Sequence, residues 1–316
     1  MCTFYWSQCG KINVYAKRRG TQEWTDKMAD LFCVKLGETM RGTFAEHVKK
    51  YAYGEALLVL PNRFLLQSEQ QKGTVRAVNM DYLPNEILRA NRRDRFEMLS
   101  RRSQEIIVKK LIDDKKKAGQ LKYLLNIADA DSFAKIVTGF IGELSRAGTT
   151  AEEFAEAVSA WERKNGYGLK DEEIASIYTD YRKVLKKNNW YDIDGLYRLA
   201  TIELQKAGSI IPWQALFFSD FYQFDHLQLD LIAAIKDRCT VSIGIVGDMK
   251  NDELYGATLN TIGDLLGCGF KLHKVSDLTD RNEELQHFCL HWKNDIVVFD
   301  KEVENIKVFE AASIEN

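Results

Sequence analysis

The sequence predicts an α/β protein: a parallel sheet whose chain is interrupted by a large all-helical block. Three observations carry this reading. Between about residues 30 and 90, short apolar runs (LFCVKL, EALLVLP, TVRAV) alternate with polar, helix-like stretches, the pattern of parallel strands with covering helices. From about 92 to 205 the runs lengthen into amphipathic periods (FEMLSRRSQEIIVKKLI, SFAKIVTGFIGELSRAG, EEIASIYTDYRKVLKK), with no proline between Pro84 and Pro212. That block is helical. After Pro212 strand-like runs return in WQALFFSD, CTVSIGIVGD and IKVFEAAS, separated by helical stretches such as HLQLDLIAAIKD. Neither flank alone has enough strands for a covered sheet. Residues 1–90 and 206–316 are therefore expected to form one α/β domain, and 91–205 a helical insertion.

Bulk properties narrow the function classes. A formal charge of -2 argues against a general polyanion binder, although local basic patches remain open. No run approaches the 18 or more apolar residues of a membrane span, and MCTFYWSQCGKINVYAKRRG lacks the apolar core and cleavage site of a signal peptide. A cytoplasmic protein without membrane contact is expected. The six cysteines are scattered, with no C-x-x-C pair and no histidine at zinc-ligand spacing, so they read as reduced thiols.

The first apolar run leads into a loop with Gly37 and Gly42 and then a helix. A P-loop, G-x-x-x-x-G-K-[ST] between strand and helix, has that layout and that glycine spacing. The next two positions depart from it. Thr43 stands where a lysine would reach the phosphates, and Phe44 where a hydroxyl would hold magnesium. Further along, ALFFSD ends in Asp220, where an ATPase would present a carboxylate to magnesium, and Phe221 takes the place of the second, water-orienting acid. VSIGIVGD ends in Gly247 and Asp248. Each feature alone is ordinary loop chemistry. Asp220, Asp248 and Lys250 also fit a PD-(D/E)XK-like pattern, in which two carboxylates hold magnesium and a lysine steadies water. A self-contained nuclease is thus one alternative.

The order of these segments resembles superfamily 1 helicases. In IYTDYRKVLKKNNWYDIDGLYRLA a Y-x-x-Y helix leads to Asp192, Asp194 and Leu196, which match a D-F-D-D-L-L sequence. In ALFFSDFYQFDHLQLDLI, Asp220, Gln223 and Gln228 echo D-E-x-Q-D-x-N-x-x-Q, the last with a one-residue offset. The helical stretches LSRRSQEIIVKKLI, GFIGELSRAGTTAEEF and DEEIASIYTDY, with ELYGATLNTIGDL after the fourth strand, are most similar to the B subunit of AddAB/RexAB helicase-nucleases. The resemblance covers about residues 30–316. It implies a P-loop NTPase-like (RecA-like) first helicase domain (1A) with its helical insertion (1B), in a complex that processes broken DNA ends for recombinational repair.

In that family the B subunit works beside the active helicase partner of a heterodimer, and the full-length chain carries a nuclease with a 4Fe-4S cluster besides its use of magnesium and ATP. The sequence ends where a second helicase-like domain would begin, so a fragment is expected. Thr43, Phe44, Phe221 and Asn251, the last replacing a γ-phosphate-sensing glutamine, imply no ATP hydrolysis. No cofactor is expected for this fragment, and no catalytic residue.

The partner expected instead is DNA, most readily single-stranded. Arg63, Phe64, Asn79 and Tyr82 fall on loops where superfamily 1 helicases meet a strand, with the aromatics available for stacking. Between Arg89 and Lys117 eleven basic residues face five acidic ones, which nominates Arg89, Arg92 and Arg93 for phosphate contact, against the plain reading of a solvated helix face. The other alternative is an architectural module that holds a partner protein through Trp161, Trp190 and Tyr191.

Overall fold

A computed structural model describes residues 29–34, 39–73, 75–93, 95–165, 169–247 and 252–274. Gly37, Asp248, Lys250, Asn251 and the expected strand IKVFEAAS lie outside these residues. The chain begins with β1 (Ala29–Val34), α1 (Arg41–Val48), β2 (Ala56–Leu60), α2 (Arg63–Lys72), β3 (Ala77–Asn79) and, after one 3-10 turn, α3 (Leu83–Ala90). It then runs through β4 (Glu97–Met98), α4 (Arg101–Lys117), α5 (Asp131–Arg146), α6 (Ala151–Asn165), α7 (Leu169–Asn188), β5 (Trp190–Tyr191) and α8 (Ile193–Leu204). The last described elements are β6 (Ala215–Phe221), α9 (His226–Lys236), β7 (Thr240–Val246), α10 (Asp252–Gly267) and β8 (Lys271–Lys274).

Among the described residues six strands form one sheet in the order β3-β2-β6-β7-β1-β8, every described pairing parallel. The expected parallel α/β sheet is therefore present. Its central strands are apolar on both faces, as ALLVL in β2 shows with all five residues buried, because helices cover both sides. On one face Leu58, Leu60 and Phe217 meet Met40, Phe44 and Val48 of the α1 region. On the other, Leu57, Val59, Phe218 and Ile243 meet α3, α8, α9 and α10 through residues such as Ile87, Leu196, Ile232 and Ile262. Gly244 lets α1 approach: a Cβ there would lie 2.8 Å from Met40 Cβ.

Helix starts are set locally by short polar side chains that accept an otherwise orphaned backbone N–H. Asn62 caps α2, Ser100 caps α4 and Asp192 caps α8, while Asp225 and Gln228 form a reciprocal capping box at α9. The helices α4, α5 and α7 enclose an apolar core of their own, with Val108, Ile112, Val137, Ile141, Tyr178 and Tyr181. Glu173 fastens the loop that follows α4, accepting from the backbone N–H groups of Lys122, Tyr123 and Leu124 at 2.6, 2.9 and 2.9 Å.

Helix α8 belongs elsewhere. Its Leu196, Tyr197, Ala200 and Leu204 join the core beneath the sheet. Among the described residues no helix is long and apolar enough to cross a membrane.

Candidate functional site

Because the strands run parallel, the loops after β1, β2, β3, β6 and β7 all leave from one edge of the sheet. In open α/β sheets ligands bind at that carboxyl edge. Two features are found there: an ion cluster at the start of α1, and an aromatic row in the sense of strand order, three exposed rings that each follow one of three adjacent strands.

The ion cluster centres on Arg41, the first residue of α1. Its Nε lies 3.3 Å from Glu69 Oε1 on α2 and 3.8 Å from Asp220 Oδ2 at the end of β6. Glu69 is buried and also accepts from Lys72 Nζ at 2.7 Å. The Arg41 backbone N–H donates to Thr39 Oγ1 at 3.0 Å, and that hydroxyl lies 3.5 Å from Ser219 Oγ. Among the described residues the buried Arg41 Nη1 and Asp220 Oδ2 have no hydrogen-bond partner, so within these residues the cluster holds its charges together without satisfying all of their bonds.

Backbone geometry brings Asp220 there. Its φ is +64°, a left-handed conformation unusual outside glycine, and the ladder to β7 shifts register between Phe218 and Phe221. A bulge re-aims side chains in this way. Phe221 is thereby buried, stacked on Phe224 at 4.6 Å between ring centroids. Sequence reading sets Phe221 beside Asp220 in one site; the structure places its ring in the apolar core instead.

Phe44 is placed likewise. It is buried against Phe217 and Phe32, with centroids 5.4 and 5.8 Å apart. Thr43 is exposed on α1, its carbonyl oxygen 2.8 Å from His47 Nδ1. Gly42 is exposed, with nothing near its missing side chain.

The second arrangement follows the strand order. Phe64 in the first turn of α2, Tyr82 after β3 and Tyr222 after β6 are 78%, 50% and 55% exposed. They follow the ends of three adjacent strands, β2, β3 and β6, and neighbouring strands in a sheet lie about 4.8 Å apart. Arg63 and Gln223 are exposed beside them. Asn79 is not on this surface: it is 5% exposed, and its Oδ1 accepts from the Asp81 N–H at 2.8 Å, shaping the turn below Tyr82.

Polar contacts tie α8 to the turn after β3 and to α7. Tyr197 donates to Asp81 at 3.2 Å. Asp192 accepts from Tyr181 at 3.1 Å and from Arg182 at 3.1 and 3.2 Å. Burial, then the neighbouring Asp192 charge, pushes the Asp194 carboxyl up to about 6. Burial also raises Asp225.

The profile of the family described as ADDB, N-terminal, matches residues 45–268. The chain belongs to the AddB N-terminal family. No curated protein sequence matches it. The matched span of this AddB N-terminal region takes in the aromatic row, Glu69 and the Asp220 bend, and begins just after Arg41.

Arg89 is exposed and 3.9 Å from Glu86. Arg92 and Arg93 lie beside α8, lining a cavity with Arg95 that none of Phe64, Tyr82 and Tyr222 lines. Most of the remaining basic run is neutralised: Arg101 and Arg102 pair with Glu105, Lys109 with Asp113, Lys115 with Asp180 and Lys116 with Asp129.

Of the nuclease pattern only Asp220 is described, and it faces Arg41. Among the described residues no group of three or more His, Cys, Asp or Glu could hold a metal ion. Trp190 donates to Glu97 at 2.9 Å, and Tyr191 packs against Phe96.

Proposed function

We propose that this chain is the ATPase-inactive, strand-binding part of an AddB-type helicase-nuclease, acting beside the active helicase of the heterodimer in the processing of double-strand breaks for recombinational repair. The observation that carries the proposal is that Phe64, Tyr82 and Tyr222 are all exposed and each follows the carboxyl end of one of three adjacent strands. Exposed rings there offer a stacking platform tolerant of sequence, and Arg63 supplies a phosphate contact beside them.

The loss of motor chemistry fits the same reading. In a RecA-like site, phosphates and magnesium would lie between the first helix and the Asp220 strand end. Here the guanidinium of Arg41 reaches that carboxylate and Glu69. An internal cation takes the role of magnesium as counter-charge, while Thr43 supplies no ammonium at the lysine position and Phe44 no hydroxyl at the next. In this reading α4–α7 are the inserted 1B unit and α8 is part of 1A, because α8 contributes to the sheet core. ATP, magnesium and the 4Fe-4S cluster belong to the remainder of the full-length complex.

The test is fluorescence anisotropy of a labelled oligo-dT with the purified chain. Replacing Phe64, Tyr82 and Tyr222 together by alanine is expected to weaken binding by at least about tenfold, since stacking contributes about 1–3 kcal/mol per base, with the thermal transition retained. Equal affinity in the triple variant would reject the proposal.

A further inference from the structure

A cavity of about 510 Å³ opens beside α8, where the chain passes from α3 into the helical block and returns from α7. Phe96, Tyr191 and Leu199 line it, together with Arg92, Arg93, Arg95 and Lys206. Among the described residues four cations thus meet one acid, Glu203, which pairs with Arg93 at 3.5 Å and with Lys206. Among the described residues Arg92 and Arg95 have no ion-pair partner. Their guanidinium groups are forks suited to phosphate oxygens, which accept two parallel N–H bonds.

The apolar wall has a matching shape. Phe96 and Tyr191 meet edge to face with centroids 5.7 Å apart, leaving ring surface for a planar group. The volume falls within the usual range for small-molecule sites, about 300–1,000 Å³.

Strain marks the same place. Of three non-glycine residues with positive φ among the described residues, two line this cavity: Arg92 and Asn189, each at φ +55°. Asparagine adopts that conformation readily, whereas for arginine it is uncommon. One sits on the connection entering the helical block and the other on the connection leaving it. The two connections are joined across the cavity by Asn189 Nδ2 donating to the Arg95 carbonyl at 2.6 Å and by the Glu97 N–H donating to the Asn189 carbonyl at 3.3 Å.

We infer that this cavity binds a nucleotide unit, its phosphate held by Arg92 and Arg95 and its base laid against Phe96 and Tyr191. A ligand so held touches both connections at once and fixes the setting of the helical block on the sheet. The site uses none of the aromatic row, so it stands apart from the strand-binding proposal. Two sources share this chemistry, a free nucleotide and the 5′-terminal nucleotide of a strand.

Isothermal titration calorimetry with the 316-residue chain tests it, using adenosine 5′-monophosphate and a 5′-phosphorylated oligo-dT as probes. Both probes are expected to bind in competition. The Arg92→Asn/Arg95→Gln variant, chosen because asparagine tolerates the backbone at 92, weakens both by at least about tenfold. Lys135→Ala, a charge removed from an exposed site on α5, leaves both unchanged. Tighter binding of the oligonucleotide identifies a strand end as the source, and tighter binding of the monophosphate a free nucleotide. Absence of binding by both probes, or affinities unaltered in the double variant, would overturn the inference.

Discussion

Arg41 and Asp220 face each other across 3.8 Å at the carboxyl edge of the sheet, one from the first turn of α1 and the other from a left-handed bend ending β6. With Glu69 they form a charge cluster that needs no bound cation to balance Asp220. In the Arg92→Asn/Arg95→Gln variant, which removes the separate nucleotide cavity beside α8, Mg-ATP is therefore expected to leave the thermal transition in place and to show no turnover above buffer. A ligand at a hundred times its Kd would stabilise the fold by about 2.7 kcal/mol, and a rise of that size in differential scanning fluorimetry would contradict the expectation.

Removing the shared cation should cost stability. Arg41→Met leaves the buried Glu69 carboxylate with Lys72 as its remaining ion-pair partner among the described residues, and Asp220 with none. Breaking a fully buried pair costs about 3–5 kcal/mol; Arg41 is partly exposed, so about 1–3 kcal/mol is expected. Urea denaturation measures it, and an unchanged midpoint would show that the cluster contributes nothing to the fold.

The bend at Asp220 separates two substitutions that both remove its carboxylate. Asp220→Gly accepts a φ of +64° without strain, whereas Asp220→Ala does not. The glycine variant is expected to be the more stable by about 1 kcal/mol. Equal stabilities in chemical denaturation would mean that the backbone relaxes at no cost.

Asp194 sets a pH dependence. Its carboxyl titrates near 6 in the fold against an ordinary 3.8, through burial and the Asp192 charge, opposed by Arg146 and Arg182, with Asp225 adding to the rise. Between these values the folded chain binds the proton more strongly than the unfolded one. The contribution of this group to stability is thus highest below about pH 4, falls as pH rises through about 6, and then levels off. Asp194→Asn is expected to raise stability at pH 7 by up to about 3 kcal/mol, with the gain vanishing near pH 4. A gain that persists at pH 4 would assign it to another cause.

The sheet and helices are legible in the sequence because their signals are local. ALLVL and VSIGIV read as buried strands, and the proline-free stretch from Pro84 to Pro212 as a helical block. Strands β4, β5 and β8 are not: two residues of pairing between Glu97–Met98 and Trp190–Tyr191 depend on a contact between distant parts of the chain, and KLHK in β8 lacks an apolar run. The site is legible only in part. Phe64 and Tyr82 stand out on the loops after their strands, but Tyr222 is hidden within FYQFD, where Phe221 holds the motif position. The shift that buries Phe221 and exposes Tyr222 comes from the bulge, which strand periodicity does not encode. Arg41 stands inside GETMRGTF, but its meaning requires Glu69, far along the chain and on another helix. The tyrosines of the Y-x-x-Y helix, by contrast, are buried and donate to Thr149 and Asp192, so that part of the resemblance marks a structural network rather than a contact surface.

The central claim, that the fold keeps a strand path without its motor, is tested most directly by one titration. Binding of a labelled oligo-dT lacking a 5′ phosphate to the Arg92→Asn/Arg95→Gln variant, which lacks the separate nucleotide cavity, is measured by anisotropy across a range of potassium chloride, with and without Mg-ATP. The expected result is an affinity that falls steeply with salt, by a logarithmic slope of about −0.7 for each phosphate contacted, on curves that coincide with and without the nucleotide. An affinity flat in salt, or one shifted by Mg-ATP, would contradict it.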